Sequence, residues 1–249
     1  MIKWFFIIFL LATSYQIVSE TSSNAFNFYA RKQVFIPDSV LFKEDSIVLK
    51  PGPTPYFTRI NQLNKERRAL KNRFHSQEID IQKVQPEFER YLVQEIIPYW
   101  YGTKWDFDGY TNRPRQGKIA CGYFVSTTLL HAGLPIDRYK LAQKSPLDEA
   151  NMLAYGQKVL TINEFDSLML YMSDTATKNG IYFIGLDQSH VGFLVKRKHV
   201  WFIHSAYKEP AEVRVENALH SEILRAYSQF FLVGLSTNEK FLLDWLKSP

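Results

Sequence analysis

IYFIGLDQSHVGFLVKRKHVWFIH, residues 181–204, is the stretch that decides the fold. Asn179-Gly180 ahead of it is a turn signal, and Ile181 to Leu186 is a short apolar run bounded by turn residues, the pattern of a buried strand. His190 to Val195 is a second such run. After the polar triplet Lys196-Arg197-Lys198, a third extends from His199 to His204. Val213 to Val215 and Phe230 to Gly234 add further short strands, and Phe241 to Leu246 reads as a closing helix. The spacing predicts antiparallel hairpins in the C-terminal half.

Working outward toward the N-terminus, the period changes from strand to helix. Between Arg59 and Phe74, apolar Ile60, Leu63, Leu70 and Phe74 alternate with charge, and the basic face of Lys65, Arg67, Arg68, Lys71 and Arg73 reads as solvated. A second helix is expected from Pro86, favourable at its first position, to Ile97, with Pro98 ending it. A third begins beside Gly122 and buries Phe124, Val125, Thr128, Leu129 and Ala132, with Gly133 as its stop signal. Leu134 to Asp174 reads as helical and connecting, with a helix from Asn163-Glu164-Phe165 to Leu170, and Asp108 to Lys118 as an irregular loop. Helices first and antiparallel strands second make an α+β fold.

At the N-terminus, Lys3 precedes an uninterrupted apolar run from Trp4 to Ala12, too short to cross a bilayer and right for a signal-peptide core. Residues 1–19 are therefore expected to be a signal peptide, residues 20–95 an extended and helical accessory segment, and residues 96–249 the catalytic domain. The chain is expected to be exported, periplasmic or extracellular, touching membrane only through an uncleaved signal. A net charge of +5 and a pI near 9.1 suit anionic surroundings such as a bacterial wall. No Lys/Arg run is long enough to argue for nucleic acid, and no cofactor or metal is implied.

Cys121 is the single cysteine among 249 residues. An exported chain with one cysteine makes no internal disulfide, which points the thiol toward reactivity. At a helix N-terminus, unpaired N–H groups and the positive end of the dipole favour its thiolate. Thiol catalysis also needs a base and a group to orient that base. Of six histidines, His190 and His204 are the pair that geometry selects. With Lys196-Arg197-Lys198 as the hairpin turn, pairing is symmetric about Arg197 and sets the two imidazoles opposite each other on one sheet face. A bulge or an even-length loop would shift that register. The aromatic cluster Tyr99 to Phe107 is either core or cleft wall, with Tyr101 and Trp105 the residues that would line a cleft.

YWYGTKW (99–105), IACGYFVSTTLLHAGL (119–134), SHVGFLV (189–195) and WFIHSAY (201–207) together resemble the papain-like NlpC family of bacterial cell-wall cysteine peptidases. The resemblance covers about residues 97–236. It implies a papain-like fold and a Cys-His-His triad: Cys121 as nucleophile, His190 as general base, His204 orienting it, and Tyr101 beside the oxyanion site. It implies a peptide or peptidoglycan-derived substrate. Ala120-Cys121-Gly122-Tyr123 stands where the family usually has Asp-Cys-Ser-Gly, and the loop after Gly102 is long. Gly122 and Tyr123, with Trp105, are therefore the expected substrate-binding positions. An acyltransferase or deamidase using the same chemistry, or a catalytically silent binding module, are the alternative readings.

Overall fold

The computed structural model describes Ile47 and residues 49–248; the stretch expected to be a signal peptide and most of the expected lead-in lie outside the described residues. Helix α1 (Tyr56–His75) buries Tyr56, Ile60, Leu63, Arg67 and Leu70, spaced three or four apart along one stripe. Arg67 departs from the solvated face expected of it. It is 2% exposed, and its guanidinium donates to the carbonyls of Trp245 at 3.0 Å and Ser248 at 2.8 Å, at the C-terminal end of the last helix. A cation there satisfies carbonyls that the helix itself cannot.

Helix α2 (Ile81–Glu89) starts earlier than the sequence suggests, because the Asp80 carboxylate caps it by accepting from the Lys83 N–H. Pro86 lies inside the helix rather than at its start. The run continues as a π-helical stretch (Arg90–Ile96) into α3 (Ile97–Trp100), passing Pro98. Pro98 sits in the first positions of that last turn, where its missing N–H costs little. The expected boundary at residue 95/96 thus falls within a continuous helical run. The described residues form one compact unit, in which Leu63, Phe88, Tyr91 and Leu92 share a core with Phe241 and Trp245.

Helix α4 (Cys121–His131) follows the loop and ends as expected at Gly133, which has φ of +102°. Next come α5 (Arg138–Ala142) and α6 (Pro146–Leu153), then strand β1 (Leu160–Asn163) and α7 (Phe165–Ser173). Strand β1 falls in a region expected to be helical. Its four residues pair with β6 at the sheet edge, too short a span for periodicity to announce. The remaining strands are β2 (Gly180–Leu186), β3 (His190–Lys196), β4 (Val200–Ser205), β5 (Val213–Asn217) and β6 (Gln229–Gly234). The short helix α8 (Glu222–Arg225) lies between β5 and β6, and α9 (Glu239–Lys247) closes the chain. The sheet order is β1-β6-β2-β3-β4-β5, every pairing antiparallel.

Both sheet faces are covered, which is why β2 and β3 are buried at every residue. One face, with Ile181, Phe183, Val191, Phe193 and Ile203, packs against the helical core. The other, with Tyr182, Ile184, Leu194 and Phe202, packs against Phe165, Leu168 and Met172 of α7 and Ile223 and Leu224 of α8.

Arg67→Met should therefore cost roughly 2–4 kcal/mol in chemical denaturation, by stranding two buried carbonyls. The exposed neighbour changed in Arg68→Met should stay within about 0.5 kcal/mol of wild type.

Candidate active site

Cys121 opens α4, behind Ala120 in extended conformation and with no side chain capping the first turn. The helix is pinned to the sheet by buried Phe124, Val125 and Leu129, and the Phe124 ring meets that of Phe193 at 6.0 Å between centroids. The residue before this turn is tied to the other side of the site: the Ser205 hydroxyl donates to the Ile119 carbonyl at 2.7 Å. The sulfur contacts the Ser189 carbonyl at 3.9 Å and receives the Val191 N–H. It thus lies against the backbone on both sides of His190.

The β3–β4 register is not the one the turn arithmetic gives. Lys196 pairs with Val200 and Phe193 with Ile203, so the hairpin is symmetric about Lys198 and its loop is Arg197 to His199. His204 is offset by two residues from the position facing His190. Because side chains alternate with period two, a two-residue shift keeps both imidazoles on the same face. The rings meet diagonally, with Nε2 of His190 2.8 Å from Nδ1 of His204. Gly192 makes this approach possible. A Cβ there would stand 2.8 Å from the Phe202 ring, 2.8 Å from the Ile203 carbonyl and 3.0 Å from the His204 Cβ. Phe202 in turn stacks on the His204 ring at 4.0 Å, fixing its plane.

Both imidazoles are almost wholly buried, and that burial holds each below the usual histidine range. The thiol moves the opposite way. The helix N-terminus was expected to acidify Cys121, but burial pushes it up to about 11, ahead of the lowering by the Val191 N–H. At neutral pH the resting site is a thiol and neutral imidazoles rather than a thiolate–imidazolium pair.

Tyr101 and Trp105 take different places. The Tyr101 hydroxyl is buried without a hydrogen-bond partner. The Trp105 ring lies 6.3 Å from Tyr207, which lies 5.4 Å from His190. Gly122 is buried against α5 and α6: a Cβ would come within 2.8 Å of the Ala142 carbonyl and 3.1 Å of Glu149 Oε1. Its smallness is a packing requirement at the helix start. Tyr123 is partly exposed among aromatic and cationic neighbours, its ring 6.2 Å from Tyr110, 5.8 Å from Tyr139, and 5.4 Å from the Arg138 guanidinium.

Three further groups at the site were not singled out by the sequence. The Tyr227 ring runs within 10° of parallel to His190, and its hydroxyl meets the Ser189 hydroxyl at 3.2 Å. Glu149, 2% exposed with Oε2 unpartnered, is raised well above the usual carboxylate range by burial, and its charge opposes the Cys121 thiolate. Glu216 on β5 places Oε1 3.5 Å from His204 Nε2. Its Arg-Val-Glu alternation (214–216) would mark an edge-strand face, but not which partner that face meets.

Two surface hollows, one between α1 and α2 and one on the loop from Asp106 to Lys118, are lined by neither Cys121 nor His190. Among the described residues no group of three His, Cys, Asp or Glu side chains is arranged to hold a metal ion. No family model, curated protein or solved structure matches the chain.

In the free protein, iodoacetamide labelling of Cys121 should accelerate with pH through a midpoint clearly above the ~8.5 of a free thiol, in keeping with about 11. Gly192→Ala should cost about 1–3 kcal/mol by denaturation and separate the two imidazoles, read as a changed histidine ring pattern in NMR.

Proposed function

We propose that this protein is an exported cysteine amidase or peptidase of papain-like type that hydrolyses amide bonds, with bacterial cell-wall peptides as the substrate class. One observation carries the reading. The single thiol, at a helix N-terminus, lies against the backbone flanking a histidine whose far nitrogen is 2.8 Å from a second histidine. A thiol next to the backbone of one histidine, whose ring leans on a second, supports the nucleophile, base and orienting roles that thiol acyl transfer requires.

Starting from the neutral pair, His190 Nδ1 takes the Cys121 proton as Sγ attacks the amide carbonyl. Charge then develops on the carbonyl oxygen, where the Cys121 N–H at the open helix end can donate, with the unpartnered Tyr101 hydroxyl as a second donor. As the tetrahedral species collapses, the imidazolium returns its proton to the leaving amine and a thioester remains. The His190 base then draws a proton from water, which attacks the thioester and releases the carboxylic acid and the thiol. Neutral reactants suit a buried site, since no charge has to be held there between turnovers.

The choice of wall peptides rests on the sequence resemblance together with the basic pI near 9.1. Trp105, reaching His190 through Tyr207, and partly exposed Tyr123, two residues past Cys121, are the side chains proposed to meet substrate.

Incubation with peptidoglycan stem peptides should release new free amines. Cys121→Ala and His190→Ala should each lower kcat at least about 10³-fold, Cys121→Ala with its unfolding midpoint within a few degrees of wild type and His190→Ala less stable but still cooperatively folded. Wild-type protein that labels at Cys121 but cleaves no stem peptide would contradict the peptidase reading.

A further inference from the structure

A histidine that orients another histidine leaves the protons undetermined. Either ring can donate across the 2.8 Å contact between His190 Nε2 and His204 Nδ1, and the two choices are chemically opposite. If His204 carries its proton on Nδ1, it donates to His190 Nε2. Neutral His190 is then protonated on Nδ1 and has no lone pair there to accept the thiol proton. If His204 carries its proton on Nε2, its Nδ1 accepts from His190 Nε2–H, and Nδ1 of His190 becomes the base. Something outside the pair has to choose.

The group beyond His204 is Glu216. It lies across β4–β5, paired with Phe202 in the register that sets His204 opposite Arg214, so its side chain shares the His204 face one step along. Oε1 is 3.5 Å from His204 Nε2, close but outside good hydrogen-bond geometry, and that buried nitrogen has no hydrogen-bond partner. The Ser221 hydroxyl donates to the same oxygen, and Arg214 Nε donates to Oε2 at 3.0 Å. Arg214 is itself anchored on the Lys208 and Pro210 carbonyls at 3.1 and 3.0 Å. Burial raises the Glu216 carboxyl, but the His204, Ser221 and Arg214 contacts outweigh it and bring the group down to about 2, so it is an anion at any working pH. An acceptor-only anion beside Nε2 favours a proton on Nε2.

We propose that Glu216 is the positioning residue that sets both tautomers, holding the His204 proton on Nε2 and so the His190 proton on Nε2, which leaves His190 Nδ1 unprotonated for the thiol. The relay therefore runs Cys121, His190, His204, Glu216. Arg214 and Ser221 hold the carboxylate in place. The carboxylate favours a proton on His204, while the Arg214 guanidinium adds to the burial that lowers both imidazoles. The assignment of tautomers stands on the imidazole and carboxylate geometry; its catalytic consequence rests on the function proposed above.

Glu216→Gln separates these. Arg214 can only donate, so it draws the new amide oxygen to itself and turns the NH₂ toward His204 Nε2, now forced to accept. In ¹⁵N NMR of histidine-labelled protein at neutral pH, wild type should show both His190 and His204 protonated on Nε2, and E216Q should show both moved to Nδ1. With that shift, kcat on stem peptides should fall about 10²–10⁴-fold with KM within about twofold, and Glu216→Asp should recover part of it. Wild type with His204 protonated on Nδ1 overturns the proposal whether or not the variant folds. E216Q with unchanged tautomers also overturns it, even if activity falls, because that loss is merely structural. If the tautomers move as expected while wild type cleaves nothing, the relay stands and the proposed reaction does not.

Discussion

Two imidazoles buried side by side in an apolar sheet face have to satisfy each other, and much of the local structure follows from that requirement. An unpaired polar atom in such a place costs on the order of 1–3 kcal/mol, so the 2.8 Å contact between His190 and His204 is a condition of folding as well as of chemistry. Gly192 has no side chain because a Cβ would occupy the space the rings need. Phe202 holds the His204 plane, and the Ser205 hydroxyl ties the end of the same strand to the backbone just before Cys121. The polar chain ends on Glu216 at the partly exposed β5 edge, where Arg214 and Ser221 compensate its charge.

The sulfur shows two opposed influences meeting at one atom. An open helix end and nearby N–H groups favour the thiolate; enclosure by the Ser189–Val191 backbone, with Glu149 behind, favours the thiol, and enclosure wins. A half-buried nucleophile held as the thiol is protected from adventitious oxidation, since reactivity follows the thiolate population. Its activation then depends on the base, which is why the location of a single proton on His190 matters more than the resting acidity of Cys121.

Much of this was legible in the sequence, for identifiable reasons. Strands β2, β3 and β4 were readable because burial on both faces leaves apolar runs with turn residues between them. The histidine pair survived a wrong register because the error was two residues and side chains repeat every two; a one-residue slip would have put the rings on opposite faces. Strand β1 was not readable, since four residues at an edge carry too little pattern. Arg67 read as one more solvated cation because sequence spacing cannot show a helix C-terminus arriving from 178 residues away. Glu216 was silent for a similar reason: which carboxylate stands beyond His204 is decided by the β4–β5 register.

The account's central claim is tested most directly by a crystal structure of the protein trapped with a peptide nitrile. The account predicts a thioimidate bond on Cys121 Sγ with His190 Nδ1 within about 4 Å of that sulfur. An unmodified Cys121, or an Sγ–Nδ1 separation beyond ~6 Å in the trapped state, would contradict it.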